Sequence, residues 1–248
     1  MKSIREVKNN TVKEVNTILA NGLETINEME EILNKHFQMA KMSEVGEKYE
    51  NEIYDEPGAS NLSLASAIVA YSDAISNSVD HINALERFIS LHVPQMEDGN
   101  NFGVTVQLTI SKFLQETKEK LFKGLERIPA YYGNRADAID KLGISKSTIS
   151  ETVTKTVSLV NGGKDGDENK TSSSTVNEEK CTGVDKNMVS RYRIKHLASM
   201  DTQLYMDLRN GLVDCVNSYL TILDNMEKNK DKLISPKGSY GGNSMGMY

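Results

Sequence analysis

The sequence predicts an all-α protein, an elongated antiparallel four-helix bundle. Proline occurs only four times in 248 residues, which permits long helices because a proline inside a helix costs about 3 kcal/mol. Aromatic residues make up 6% of the chain, fewer than the strands of a β-sandwich core favour. Four long segments carry apolar residues at steps of three and four, the spacing that places them on one face of an α-helix.

The first predicted helix covers about residues 4–50. Glutamate and lysine fill the face opposite its apolar residues, as expected of a helix that packs on one side. A turn signal at 54–58, containing Pro57 and Gly58, separates it from the second helix. The predicted apolar face consists of Val12, Val15, Ile18, Leu19, Leu23, Ile26, Met29, Leu33, Phe37 and Ala40.

Three further helices follow the same pattern. The second is predicted over about 59–93 and ends before Pro94, since the residue before a proline is pushed out of the helical region. The third covers about 104–160, and the fourth, with the clearest periodicity, about 185–234. The apolar face of the third helix is predicted to contain Leu114, Leu121, Leu125, Ile128, Tyr132, Ile139 and Leu142.

The remaining segments are a linker and a tail. Residues 161–183 are almost entirely polar or glycine and cannot bury a core, so we expect a disordered linker there. Residues 235–248 form a glycine-rich tail. Four amphipathic helices bury their apolar faces most simply as a single bundle domain over 1–248. An up-down-up-down course then places the connection at 94–103 and the tail at the same end of the rod.

Charge and composition argue against several classes of partner. The net charge is −6, which argues against the basic face that nucleic-acid binding needs. No segment approaches the roughly 20 apolar residues of a membrane span, and the charged N-terminus lacks a signal peptide. Cys181 and Cys215 have no metal-binding spacing and are interpreted as free thiols in a reducing compartment. We therefore expect a soluble intracellular protein.

The sequence contains no convincing catalytic motif. Residues 242–246 match G-x-S-x-G, but a nucleophile elbow needs a strand before it and a helix after it, and this match lies in the tail. No histidine has a glutamate three residues earlier, as a di-iron bundle requires. There is no P-loop, GxGxxG or HExxH motif. We expect a protein that is not an enzyme and holds no cofactor or metal.

The connection between the second and third helices is chemically richer than a hairpin requires. Residues 94–104 contain two glycines, two asparagines and a phenylalanine, whereas a helix–helix connection needs only about two to eight residues of no particular kind. Asp98-Gly99 and Asn100-Asn101 tolerate left-handed backbone. The pattern indicates a specifically shaped loop that presents side chains outward.

This loop resembles the activation loop of the 11S proteasome activators, the REG family. The family signature is proline, two variable residues and then Glu-Asp-Gly-Asn-Asn-Phe-Gly-Val, which residues 94–104 reproduce. Residues 131–138, 206–210 and 223–229 also resemble the family, and the similarity covers roughly 75–145 and 190–248. The chain is most similar to the α-type subunit, which ends Gly-Met-Ile-Tyr, although the penultimate isoleucine is missing from this tail.

The resemblance implies a heptameric ring, most simply a homoheptamer, that caps the 20S proteasome without ATP. The C-terminal tails would bind the proteasome α-ring, and the activation loops would open its gate so that peptides pass through the pore. It also implies a cytoplasmic or nuclear location, or both. The implied docking residues are Gly246, Met247 and Tyr248. The implied gate contacts are Glu97, Asp98, Gly99, Asn100, Asn101 and Phe102.

A second class of function stays open from the residues alone. A helical scaffold or adaptor would bind partners with the sides of the bundle and would make no use of the terminal carboxylate. A tag fused to the C-terminus separates the two, since a scaffold tolerates it and an activator does not.

Overall fold

The computed structural model describes residues 3–56, 58–94, 101–142 and 191–237. Within these ranges all regular secondary structure is helical, so the prediction of an all-α bundle is confirmed. No helix in the described ranges has both the length and the hydropathy needed to cross a bilayer. The helices are α1 (Ile4–Ala20), α2 (Gly22–His36), α3 (Met42–Asp55), α4 (Leu62–His92), α5 (Phe102–Asp140), α6 (Arg191–Lys228) and α7 (Lys230–Ile234).

The first quarter of the chain differs from its prediction. A single helix was expected over about 4–50, and the structure has three, with breaks at Asn21 and at residues 37–41. Gly22 takes the core-facing position against Leu223 of α6. Leu23, which was predicted to face the core, is 68% exposed.

α4, α6 and α7 lie where the periodicity placed them, whereas α5 ends at Asp140, before the predicted end at about 160, and Lys141 and Leu142 form a turn. α4 occupies the segment predicted as 59–93, and α5 continues through Pro129 as one helix. The segment predicted as 185–234 forms α6 and the short α7. The end predicted for the third helix, at about 160, and the linker at 161–183 lie outside the described residues.

Contacts at the two ends of the bundle establish that α4, α5 and α6 alternate in direction. At one end, which we call the loop end, His92 at the end of α4 and Leu233 in α7 both contact Gln107 near the start of α5. At the opposite end, Asn61 before α4 and Arg135 late in α5 both contact the same residue early in α6. Antiparallel neighbours are the expected outcome of short connections between amphipathic helices.

The residue shared at the opposite end is Asp201, whose side chain is fully buried. Its carboxylate accepts hydrogen bonds from the Tyr131 hydroxyl at 2.9 Å, from Arg135 Nε at 3.0 Å and from Asn61 Nδ2 at 3.3 Å. Arg135 also donates from Nη2 to the carbonyl of Ala59 at 3.2 Å. A buried carboxylate is stable only when it is paired and hydrogen-bonded. This network holds α4, α5 and α6 together.

Cys215 lies in the core of the bundle as a free thiol. Its Sγ is 3.4 Å from Ser78 Oγ on α4. Burial raises the pKa of the Cys215 thiol, which keeps it protonated and unreactive. Cys181 lies outside the described residues.

Candidate functional site

The predicted site residues belong to two segments that leave the loop end of the bundle. Asn101 and Phe102 lie within the described residues. The other seven predicted site residues lie in the segments 95–100 and 238–248, outside the described residues: Glu97, Asp98, Gly99, Asn100, Gly246, Met247 and Tyr248. The structure therefore describes the roots of both segments, which are the end of α4, the start of α5, and α7 with residues 235–237.

The two roots are in direct contact. A Cβ atom placed on Gly103 would lie 2.6 Å from Cα and 2.7 Å from the carbonyl carbon of Pro236, and closer still to the Pro236 carbonyl oxygen. Only glycine allows the backbone of the tail to approach the second residue of α5 this closely. The loop and the tail thus start side by side, as the predicted topology requires.

Gln107 joins three helices beside this contact. Its side chain is fully buried, and Nε2 donates to the carbonyl of Leu233 at 2.8 Å and to the carbonyl of His92 at 3.2 Å. Both acceptors lie in the last turn of a helix, where carbonyls lack intrahelical partners. We call Gln107, His92 and Leu233 the clasp.

The end of α4 is held by its own local contacts. The Nδ1 atom of the His92 ring lies 2.8 Å from the carbonyl of Phe88 and donates to it, because a carbonyl can only accept. The His92 and Phe88 rings also pack with centroids 4.5 Å apart. Val93 then leaves the helix with φ −65° and ψ 121°, the extended backbone expected before Pro94.

Phe102, a predicted gate contact at the start of α5, lies against α7. The carbonyl of Asn101 accepts from the backbone N–H of Thr105 at 3.0 Å, which anchors the first turn. Phe102 is 62% exposed, and the Lys232 ammonium lies 4.8 Å from the centre of its ring. That distance is within the range of a cation–π contact. The exposed face of the loop end therefore includes groups from both roots.

Sequence reasoning missed the roles of Gly103 and Gln107. A signal for Gln107 existed, because it occupies a core-facing position between Val104 and Ile110 and is a polar residue in an apolar stripe. No comparable signal identifies the partner of Gly103, since Pro236 is distant in the chain. Among the residues that the structure describes, no cluster of three or more histidine, cysteine or acidic side chains could hold a metal ion.

Comparison with known families finds a match over the loop and its flanking helices. Residues 59–157 match the family model described as the C-terminal part of proteasome activator PA28. The human and chicken proteins called proteasome activator complex subunit 3 are each 24% identical over 180 residues. That alignment covers 73% of this chain and 54% of each relative, so the chain spans about half the length of the curated relatives it matches.

Solved structures share the fold over nearly the whole chain. The 11S subunit of the Plasmodium falciparum proteasome, PA28, aligns with a TM-score of 0.63 at 19% identity, covering 94% of this chain and 92% of that one. A chain from the complex of an archaebacterial 20S proteasome with PA26 aligns with a TM-score of 0.64 at 14% identity, covering 99% and 100%. These similarities are of fold.

Proposed function

We propose that this chain is a member of the 11S proteasome activator family, whose PA28 model matches residues 59–157, and that it is a regulatory subunit that activates the 20S proteasome. The family match includes the segment 94–104 and both helices that flank it. The curated relatives named above are subunit 3 proteins. The similarity to the α-type rests on the C-terminal residues and stays a prediction.

The observation that carries this proposal is the contact between Gly103 and Pro236. It makes the loop and the tail leave the bundle at one point, so one surface of the subunit can both bind a partner and act on it. A scaffold that binds with the sides of its helices has no need of this arrangement. A regulator whose tail docks while its loop acts does need it.

We infer that the subunits assemble into a heptamer, most simply a homoheptamer. Seven tails then bind the α-ring together, and tethering raises the overall avidity by about 10²–10⁴ over a single tail. The gate opens if the loops bind its open form better than its closed form. Binding supplies the free energy, so the mechanism requires no ATP and no catalytic group in this chain.

Under this proposal the residues divide into two groups. The docking group consists of Gly246, Met247 and Tyr248. The gate-contact group consists of Glu97, Asp98, Gly99, Asn100, Asn101 and Phe102. The exposure of Phe102 at the loop end supports its place in the second group. The proposal also places the protein with the 20S proteasome in the cytoplasm, the nucleus or both, with peptides passing through the pore of the ring.

Hydrolysis of a fluorogenic peptide by purified 20S proteasome, with and without this protein, tests the proposal. We expect stimulation by the wild type and none by the variant that lacks Tyr248. Asn100→Tyr should still co-sediment with the proteasome but should fail to stimulate it. If the wild type has no effect on hydrolysis and tolerates a C-terminal tag in all its interactions, the scaffold function replaces the activator function.

A further inference from the structure

We propose that Gln107 is a positioning residue that couples the root of the tail to the root of the loop, so that the docked tail sets the position of the gate-contacting loop. This inference rests on the proposed function and deepens it. It concerns a buried side chain that lies outside both groups of predicted site residues. The evidence is the geometry of the clasp.

The placement of Gln107 is unusual for its chemistry. Its side chain is fully buried, with Val104 and Ile110 on the same buried face of α5. An apolar residue of similar volume would fill this space without the cost of burying an amide. The Oε1 atom of Gln107 is buried and accepts no hydrogen bond from the described residues. A polar amide at a core-facing position calls for an explanation beyond packing.

The two amide hydrogens of Gln107 account for its placement. A primary amide has two N–H donors, and here they bond carbonyls of two different helices, His92 of α4 and Leu233 of α7. One side chain thus makes fixed contacts with helices that are far apart in the chain. The Leu233 carbonyl lies 126 residues from Gln107.

The clasp contacts the three backbone segments that meet at the loop end: the end of α4, the start of α5 and the root of the tail. His92 lies at the end of α4, just before the loop, and Gln107 itself lies in the second turn of α5, just after it. Leu233 lies two residues before Ser235, where the tail begins. A displacement of α7 therefore reaches both ends of the loop through one amide group. The Gly103–Pro236 contact supplies a second, purely steric connection beside it.

If Gln107 couples the two roots, its substitution should change one of two quantities in the peptide-hydrolysis assay and leave the other unchanged. The half-saturating activator concentration reports docking by the tails, and the maximal stimulated rate reports gate opening by the loops. Gln107→Met keeps the volume and removes both donors. We expect it to lower maximal stimulation by about fivefold or more, as in allosteric coupling, while the half-saturating concentration stays within about twofold of wild type.

The matched control is Tyr131→Phe, which removes one buried hydrogen bond to Asp201 at the opposite end of the bundle. It should reduce thermal stability and leave both kinetic quantities unchanged. Gln107→Asn serves if Gln107→Met does not fold, because it retains an amide that is too short to reach both carbonyls. Unchanged maximal stimulation in a folded Gln107 variant would overturn the inference. So would a proportional loss of docking and stimulation, which indicates a merely structural role.

Hydrogen exchange on the isolated protein tests the clasp independently of the proteasome. In Gln107→Met the hydrogen-bonded amides of residues 105–107 and of 233–235 should become less protected together, and in Tyr131→Phe they should not. Faster exchange in only one of these segments would contradict the coupling. If the wild type fails to stimulate the proteasome, the proposed function fails, and the exchange data alone still decide whether Gln107 couples the two roots.

Discussion

The substitution Gly103→Ala tests the closest contact at the loop end. The new Cβ would lie 2.6 Å from the Pro236 Cα and 2.7 Å from its carbonyl carbon, whereas carbon atoms in contact are normally about 3.5–4.0 Å apart. The atoms it meets are backbone, which cannot rotate away as a flexible side chain can. Pro236 must therefore move by roughly 1 Å, and the root of the tail moves with it.

Overpacking of this kind typically costs about 1–3 kcal/mol. Alanine has a higher helix propensity than glycine by at most about 1 kcal/mol, and at the second residue of α5 this gain is small. We expect a net loss of about 1–2 kcal/mol in the free energy of unfolding, which in a chain of this size lowers Tm by about 2–8 °C. Peptide-hydrolysis assays should also show weaker stimulation, because the tail no longer starts in its normal position beside the loop.

The matched control is Gly133→Ala in the same helix. Gly133 is exposed, and no atom lies within 4 Å of an added Cβ, so this substitution should stabilise the protein by about 0.5–1 kcal/mol. Both variants are compared by denaturant unfolding at one protein concentration, because assembly makes apparent stability depend on concentration. If Gly103→Ala stabilises the protein as Gly133→Ala does, the steric argument is wrong.

Two further predictions concern the bundle itself. Arg135→Met leaves the buried Asp201 carboxylate without its cation. It should lower the free energy of unfolding, measured with urea, by about 3–5 kcal/mol. A loss below about 1 kcal/mol would show that the ion pair is unimportant for stability. Burial lowers the pKa of His81 below 6.5, against the opposing charges of Asp80 and Glu28, and the neutral ring lies 2.6 Å from the Tyr219 hydroxyl. The stabilising contribution of this neutral ring is complete above about pH 6.5 and is lost as the pH falls through the lowered value, because the unfolded chain then binds the proton more readily. His81→Asn should therefore lose less stability than wild type between about pH 7 and pH 5.5. Equal pH dependence in the variant and the wild type would contradict the assignment to His81.

Local physics explains why the fold class could be predicted. Apolar spacing of three and four residues depends only on the geometry of an α-helix, and the scarcity of proline permits long helices. The bounds of α4, Leu62–His92, follow from Asn61 at its start and Pro94 beyond its end. The loop of residues 94–104 stood out because its composition exceeds what a helix–helix connection needs.

The breaks between helices, and which side chains face inward, depend on tertiary contacts. The spacing of apolar residues in the sequence does not report these contacts. The third-helix pattern included Tyr132, which is 51% exposed, whereas its neighbour Tyr131 is buried. The Tyr131 hydroxyl donates to Asp201 of α6 at 2.9 Å, and this bond from another part of the chain decides which of the two rings faces inward. In the same way, the position of Gly22 against Leu223 turned Leu23 to the surface.

The sequence alone thus determined the helical class and the approximate bounds of α4 and of the segment that forms α6 and α7, because the apolar pattern of a helix is encoded over a few consecutive turns. Composition and the resemblance to a family identified the two segments that carry the proposed function. The tertiary structure decided how those segments are joined. Gln107 meets a carbonyl 126 residues away, and Gly103 meets Pro236. Such contacts exist only once the four parts of the bundle have packed, since they depend on which helix ends come together and how closely their backbones approach.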